Sequence, residues 1–160
     1  MRKVLPSIIF LLVFAFIFSS RAQAATLTIS PAAETVKVGD KLTVTIKFDT
    51  AGETVNSVKA LLSFPSSLLS VDTAGIPDKP TVVTKWNQRL YSNVAGTITL
   101  NGNTNVVGSD QTLAVVRFVT KAVGTANVTF SQGSQIIRSS DSKDVLSLAE
   151  SKGGSYTLVT

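Results

Sequence analysis

From Thr26 onward, apolar and polar residues alternate one by one, and a chain with that period has few ways to fold. Successive side chains of a strand point to opposite faces, so a period of two marks strands with one face buried. In Lys41–Asp49 the inward set is Leu42, Val44, Ile46 and Phe48, and the outward set includes Thr43, Thr45 and Lys47. The same pattern runs through Thr26–Ser30, through Val58, Ala60, Leu62 and Phe64, and through Ile98 and Leu100. It returns in Ala114, Val116 and Phe118, in Ala126, Val128 and Phe130, and in Tyr156 and Leu158. Thr and Val, which suit a pleated surface, are abundant throughout. No long segment has helical spacing of its apolar positions, and residues 66–69 have room for one turn. Val38-Gly39-Asp40, Ala95-Gly96, Val123-Gly124 and Gly153-Gly154 read as turns. Residues 101–110 read as an Asn/Gly-rich loop and residues 132–144 as an irregular stretch. These features predict an all-β protein, an antiparallel β-sandwich of about nine strands with jelly-roll topology.

Residues 1–24 have a different character. Met1-Arg2-Lys3 is a positive head, residues 4–18 are an almost unbroken apolar run, and Ala22-Gln23-Ala24 offers the small-x-small pattern that signal peptidase reads. The run is shorter than the roughly 20 residues of a spanning helix, and Pro6 interrupts it. A cleaved signal-peptide helix is expected at 1–24, with a single domain at 25–160, export to the cell surface or beyond, and no membrane attachment after cleavage. No cysteine follows the run to carry a lipid. The chain after residue 24 is expected to hold no anchor, sorting tail or second module.

Without the leader, 136 of the 160 residues remain, with 12 basic residues against 10 acidic, a net charge of +2. No run of Lys or Arg interleaves with aromatics, so nucleic-acid binding finds no support. A domain of this length buries about two-thirds of its unfolded surface and can stand without staples. That matters because the sequence has no cysteine, although an exported protein could form disulfides.

The chemistry available is narrow. With neither histidine nor cysteine, the Ser-His-Asp and Cys-His arrangements and the usual transition-metal ligand sets are excluded. A glycosidase needs only two acids about 5 to 10 Å apart, and Glu34, Asp40, Asp49, Glu53, Asp72, Asp78, Asp110, Asp141, Asp144 and Glu150 are available. Most fall at strand ends or in turns, where Asp caps backbone and keeps loops soluble. None interrupts an apolar run. The chain reads as a non-enzyme without a cofactor. Asp141-Ser142-Lys143-Asp144 places two acids three apart but lacks the alternating ligands and central Gly of a calcium-binding EF-hand loop, so no metal site is assigned.

Two features could serve binding. Trp86, the sole tryptophan, lies in the polar strand-like segment Lys85-Trp86-Asn87-Gln88-Arg89-Leu90-Tyr91. It reads either as an interface or sugar-stacking aromatic, with Tyr91, or as a lid on the core. If Val58, Ala60, Leu62 and Phe64 face inward, then Ser57, Lys59, Leu61 and Ser63 face out. Leu61 joined to Trp86 or Tyr91 would make a small exposed patch of the kind that signals a partner.

Val55–Ser63 followed by Phe64-Pro65-Ser66-Ser67-Leu68-Leu69-Ser70-Val71 forms a strand, a Pro-marked corner and a second strand, and resembles the cohesin domain. The resemblance extends over residues 27–159. Thr26–Ser30 is similar to that family's opening strand, Val38-Gly39-Asp40-Lys41-Leu42-Thr43-Val44 to its turn into the second, and Gly96-Thr97-Ile98-Thr99-Leu100, Leu113-Ala114-Val115-Val116-Arg117-Phe118 and Gly124–Phe130 to later strands in order. It implies a nine-stranded jelly roll related to some carbohydrate-binding modules, with one flat sheet face that receives a helical, calcium-loaded dockerin.

On that face the resemblance places Ser57, Lys59 and Leu61 of one strand and Thr97, Thr99 and Asn101 of another, with Trp86 and Tyr91 beside them. The family's well-known dockerin-binding members carry an Asn and an Asp where this chain has Ser57 and Lys59. A cation in place of a carboxylate reverses the preferred charge of the partner. The expected function is protein-protein interaction with a dockerin-like partner in an extracellular polysaccharide-degrading or cell-surface assembly. The alternatives are a carbohydrate-binding module that holds polysaccharide on Trp86 and Tyr91, and a structural or adhesive protein that self-associates through open strand edges.

Overall fold

The computed structural model describes residues 23–160, so the signal peptide expected at 1–24 lies almost wholly outside the described residues. Eleven strands follow one another: β1 (Thr26–Ser30), β2 (Ala33–Lys37), β3 (Lys41–Asp49), β4 (Val55–Ser63), β5 (Leu69–Val71), β6 (Lys85–Ser92), β7 (Thr97–Val106), β8 (Gln111–Thr120), β9 (Gly124–Phe130), β10 (Gln135–Arg138) and β11 (Gly154–Val159). They form a four-stranded sheet, β1-β3-β8-β5, and a seven-stranded sheet, β2-β11-β9-β4-β7-β6, in which β10 also pairs with β4. No helix among the described residues is long and apolar enough to cross a membrane.

Alternation assigns the inner faces. Leu42, Val44, Ile46 and Phe48 of β3 are all buried, as are Val58, Ala60 and Leu62 of β4, and each Val, Leu, Ile or Phe side chain so enclosed stabilises the fold by roughly 1.5–3 kcal/mol. Val116 and Phe118 come from β8, Ala126 and Val128 from β9, and Tyr156 and Leu158 from β11. Phe64, at the corner after β4, meets Phe118 edge-on with ring centroids 5.2 Å apart and so ties the two layers together. Among the described residues no buried side-chain nitrogen or oxygen lacks a hydrogen-bond partner. The corner itself is one turn, with the N–H groups of Leu68 and Leu69 both donating to the Pro65 carbonyl.

The sandwich forms as expected, with three differences. The strands number eleven rather than nine because short β2 and β10 lie in segments with little alternation. The supposed loop at residues 101–110 is strand as far as Val106, since its polar residues alternate with Gly102 and the buried Thr104. Last, β2 runs parallel to β11 while the other strand pairs are antiparallel.

The arrangement around β4 positions the site. Its whole length pairs with β7 on one side. On the other side β9 meets only Leu62 and Ser63, and β10 takes over beside Val55 to Lys59. Thus β4 has neighbours on both sides.

Candidate functional site

Residues directly opposite one another in an antiparallel pair project to the same face. From β4 to β7 the partners are Ser57 with Asn103, Lys59 with Asn101, Leu61 with Thr99 and Ser63 with Thr97. From β7 to β6 they are Asn103 with Lys85, Asn101 with Gln88, Thr99 with Leu90 and Thr97 with Ser92. On the far side of β4, Gln135 and Ile137 of β10 stand opposite Lys59 and Ser57. Since Val58, Ala60 and Leu62 are buried, these rows form the outer face of the seven-stranded sheet. Ser57, Lys59, Leu61, Thr97, Thr99 and Asn101, the six strand positions picked from the sequence, therefore share one surface.

Trp86 and Tyr91 do not join them. Trp86 stands opposite Gly102 and Tyr91 opposite the buried Ile98, on the inward side of β6. The patch of Leu61 with Trp86 or Tyr91 does not form. The cause is a bulge at Asn87, which shifts the register between Trp86 and Gln88 in a strand too polar for alternation to reveal its facing. Asn87 is held there by a 2.8 Å hydrogen bond to the Asn103 side chain. Trp86 packs on the edge of the core, where Gly102 leaves the space it needs. A Cβ on Gly102 would lie 2.5 Å from Val83 Cγ1 and 3.3 Å from Trp86 Cε3. The apolar residue that does accompany Leu61 is Leu90, across Thr99 and 60% exposed. Its hydrophobicity was visible in the sequence, but its facing depended on the bulge.

Leu61 is held in place from the other side. Its N–H donates to Ser134 Oγ at 3.0 Å, and Ser134 Oγ–H donates to the Ser131 carbonyl at 2.8 Å. The loop 131–134 can cross this closely because Gly133 adopts φ 91°, and a Cβ there would come within 3.0 Å of Leu61 Cδ1. The leucine thus sits half-buried against a pinned loop, with the amide and hydroxyl groups of Thr99, Asn101 and Gln88 beside it.

The electrostatics of the face are one-sided. No aspartate or glutamate occurs in β4, β6, β7, β9 or β10, whereas Lys59 and Lys85 stand on its outer rows. The acids at its rim are already engaged. Arg138 grips Asp141 with bonds of 2.9 and 2.7 Å and reaches Glu53 at 3.0 Å. The hydrogen bonds from Arg138 pull the Asp141 carboxyl down to about 2 against the cost of desolvation, and the same pairing raises Arg138. Asp144 Oδ1 accepts from the N–H groups of Ile136 and Leu146, both at 3.0 Å. On the other sheet Asp72 is lowered by its hydrogen bond from Lys41. Asp110 and Asp78 pair with Lys47 and Arg89. What this face offers is apolar contact, neutral hydrogen-bonding groups and positive charge.

No protein-family model matches the sequence, and no curated protein matches it. Solved structures do resemble the fold. One is the seventh ScaB type I cohesin of Pseudobacteroides cellulosolvens, with TM-score 0.67 and 16% identity over 86% of this chain and 93% of that one. The third ScaC cohesin of Acetivibrio cellulolyticus, solved in complex with the ScaB dockerin, gives TM-score 0.65 and 14% identity over 84% of this chain and 100% of that one. A non-cellulosomal cohesin from Archaeoglobus fulgidus gives TM-score 0.60 and 18% identity over 86% and 93%. At these identities the likeness is one of architecture. The chain has the cohesin fold.

Proposed function

We propose that this protein is an exported, non-catalytic docking module that captures a dockerin-like protein on the outer face of β4 and β7, in an extracellular or cell-surface assembly. The observation that carries the reading is the face itself. Leu61 and Leu90 flank Thr99 on a surface where β4, β6 and β7 carry no carboxylate, with Lys59 in the next row of β4 and Lys85 on the edge strand β6. Two apolar anchors ringed by hydrogen-bonding groups suit a partner surface better than a reacting substrate. The fold likeness adds support, since several similar cohesins were solved with a dockerin bound. Charge complementarity favours a partner whose contact surface is acidic.

A polysaccharide platform has less behind it. Trp86 packs on the core with the Arg89 guanidinium 5.7 Å from its ring centroid, so it does not join Tyr91 as a free stacking surface.

The test is titration calorimetry against a panel of calcium-loaded dockerins with acidic and basic contact surfaces, beside pull-downs on cellulose, chitin and xylan. Saturable binding to an acidic member, weakened by added salt and abolished by Leu61→Asp with an unchanged melting curve, is the expected result. Binding that survives both Leu61→Asp and Leu90→Asp would place the interface elsewhere. Retention on a polysaccharide without dockerin binding would replace the reading with a carbohydrate-binding one.

A further inference from the structure

At the open edge of the sandwich, away from the outer face of β4 and β7, a cleft of about 370 Å³ is lined by Thr73, Pro77, Asp78, Arg89, Tyr91 and Arg117, among others. That volume lies at the lower end of the range for small-molecule sites, about 300–1,000 Å³. Its wall is the connection 72–84 between β5 and β6, fixed at both ends. Near its start, Asp72 N–H donates to the Arg117 carbonyl at 2.9 Å and Arg117 N–H donates to the Gly75 carbonyl at 2.7 Å. Near its end, Val82 N–H donates to Thr112 and Thr84 N–H to Asn103. A wall anchored in this way needs little ordering when a ligand arrives.

The cleft's charges do not cancel. Asp78 pairs with Arg89, whose guanidinium also lies over Trp86, so that pair carries no net charge. Arg117 has no carboxylate at ion-pair distance among the described residues, and the nearby Asp72 is taken by Lys41 at 2.9 Å. A guanidinium without a partner matches a carboxylate through two parallel hydrogen bonds. Tyr91, 42% exposed, adds a ring whose face suits the C–H groups of a sugar. The carboxylate of Asp78 and the hydroxyl of Thr73 can accept from ring hydroxyls.

From this arrangement we infer that the cleft is a binding site for a uronic-acid residue, with Arg117 on the carboxylate, Tyr91 against the ring and Asp78 on its hydroxyls. The site is separate from the docking face and does not rest on it.

The experiment is an NMR titration of the protein with glucuronate, glucose, acetate and inorganic phosphate in parallel. Saturable glucuronate shifts at Tyr91 and Arg117 are expected, with glucose weaker by about tenfold or more, as for the loss of one charged hydrogen-bonding group, and with acetate and phosphate also weaker because they lack the ring that Tyr91 and Asp78 would hold. Arg117→Ala should weaken glucuronate by a similar factor and Tyr91→Ala should also weaken it, with both melting temperatures unchanged, while Leu61→Asp should leave it intact. Absence of glucuronate binding overturns the site, as does unchanged affinity in Arg117→Ala. Equal affinity for glucose removes the role of the carboxylate, and equal affinity for acetate or phosphate removes that of the sugar; either overturns the assignment.

Discussion

Gly102 shows how one absent side chain settles a neighbour's place. A Cβ at this point of β7 would lie 2.5 Å from Val83 Cγ1 and 3.3 Å from Trp86 Cε3, so the glycine lets Val83 and, beside it, Trp86 close on the core. Gly102→Ala should push Val83 and Trp86 outward at a cost of about 1–3 kcal/mol, the usual penalty for overfilling a packed site. Urea denaturation would show the loss, and a red-shifted tryptophan emission would assign it to Trp86, the sole source of that signal. Unchanged emission would mean that Trp86 does not pack there. On the outer face, Lys59 and Leu61 were legible from the pleat alone, because β4 is long and its inward residues are unambiguous. Leu90 was not legible, because a single inserted residue, Asn87, decides which way everything after Trp86 points.

At the scale of elements, β10 is the piece that alternation could not announce. It has four residues, and the sequence around it reads as an irregular stretch. Even so, Ile136 is completely buried and stands opposite Val58. Its N–H is held by the Asp144 carboxylate and its carbonyl by the Val145 N–H, so the strand is fastened by the loop that follows it. Ile136→Ala should cost about 2–5 kcal/mol and should release β10 before the rest of the sheet. Hydrogen exchange would then show loss of protection in Val55 to Lys59 ahead of β7, and uniform loss would argue against β10 as a separate support. The strands of the four-stranded sheet were easier to foresee. In β3 the inner and outer residues differ at every step, whereas β2 and β10 are too short for a period to stand out from chance.

The whole molecule is closed by a contact between its early and late strands. Tyr156 of β11 is fully buried, and its hydroxyl donates to the Pro31 carbonyl at 2.8 Å, in the connection that leads to β2. Burial, with Glu34 nearby as a smaller cause, pushes the tyrosine up to about 12. Its neutral form is thus favoured in the folded state. The associated stability is complete below pH 10, where the unfolded side chain is still protonated, and is lost progressively as pH rises through about 12. Denaturation midpoints between pH 9 and 12 should fall for the protein. Tyr156→Phe should start about 1 kcal/mol lower for the missing hydrogen bond and should show a shallower alkaline decline. An identical slope in both would assign the decline to other groups. This closure joins segments far apart in the chain, so no local pattern could disclose it, although the alternation of Tyr156 with Leu158 did reveal the strand.

The pleat of β4 has a consequence for how such a surface can change over time. Val58, Ala60 and Leu62 are committed to the interior, while Ser57, Lys59 and Leu61 interleave with them and answer to nothing inside. Exchange at the second set can therefore alter the outer surface while the first set keeps the scaffold constant, so that the chemistry of this face can change by small steps without passing through an unfolded ancestor.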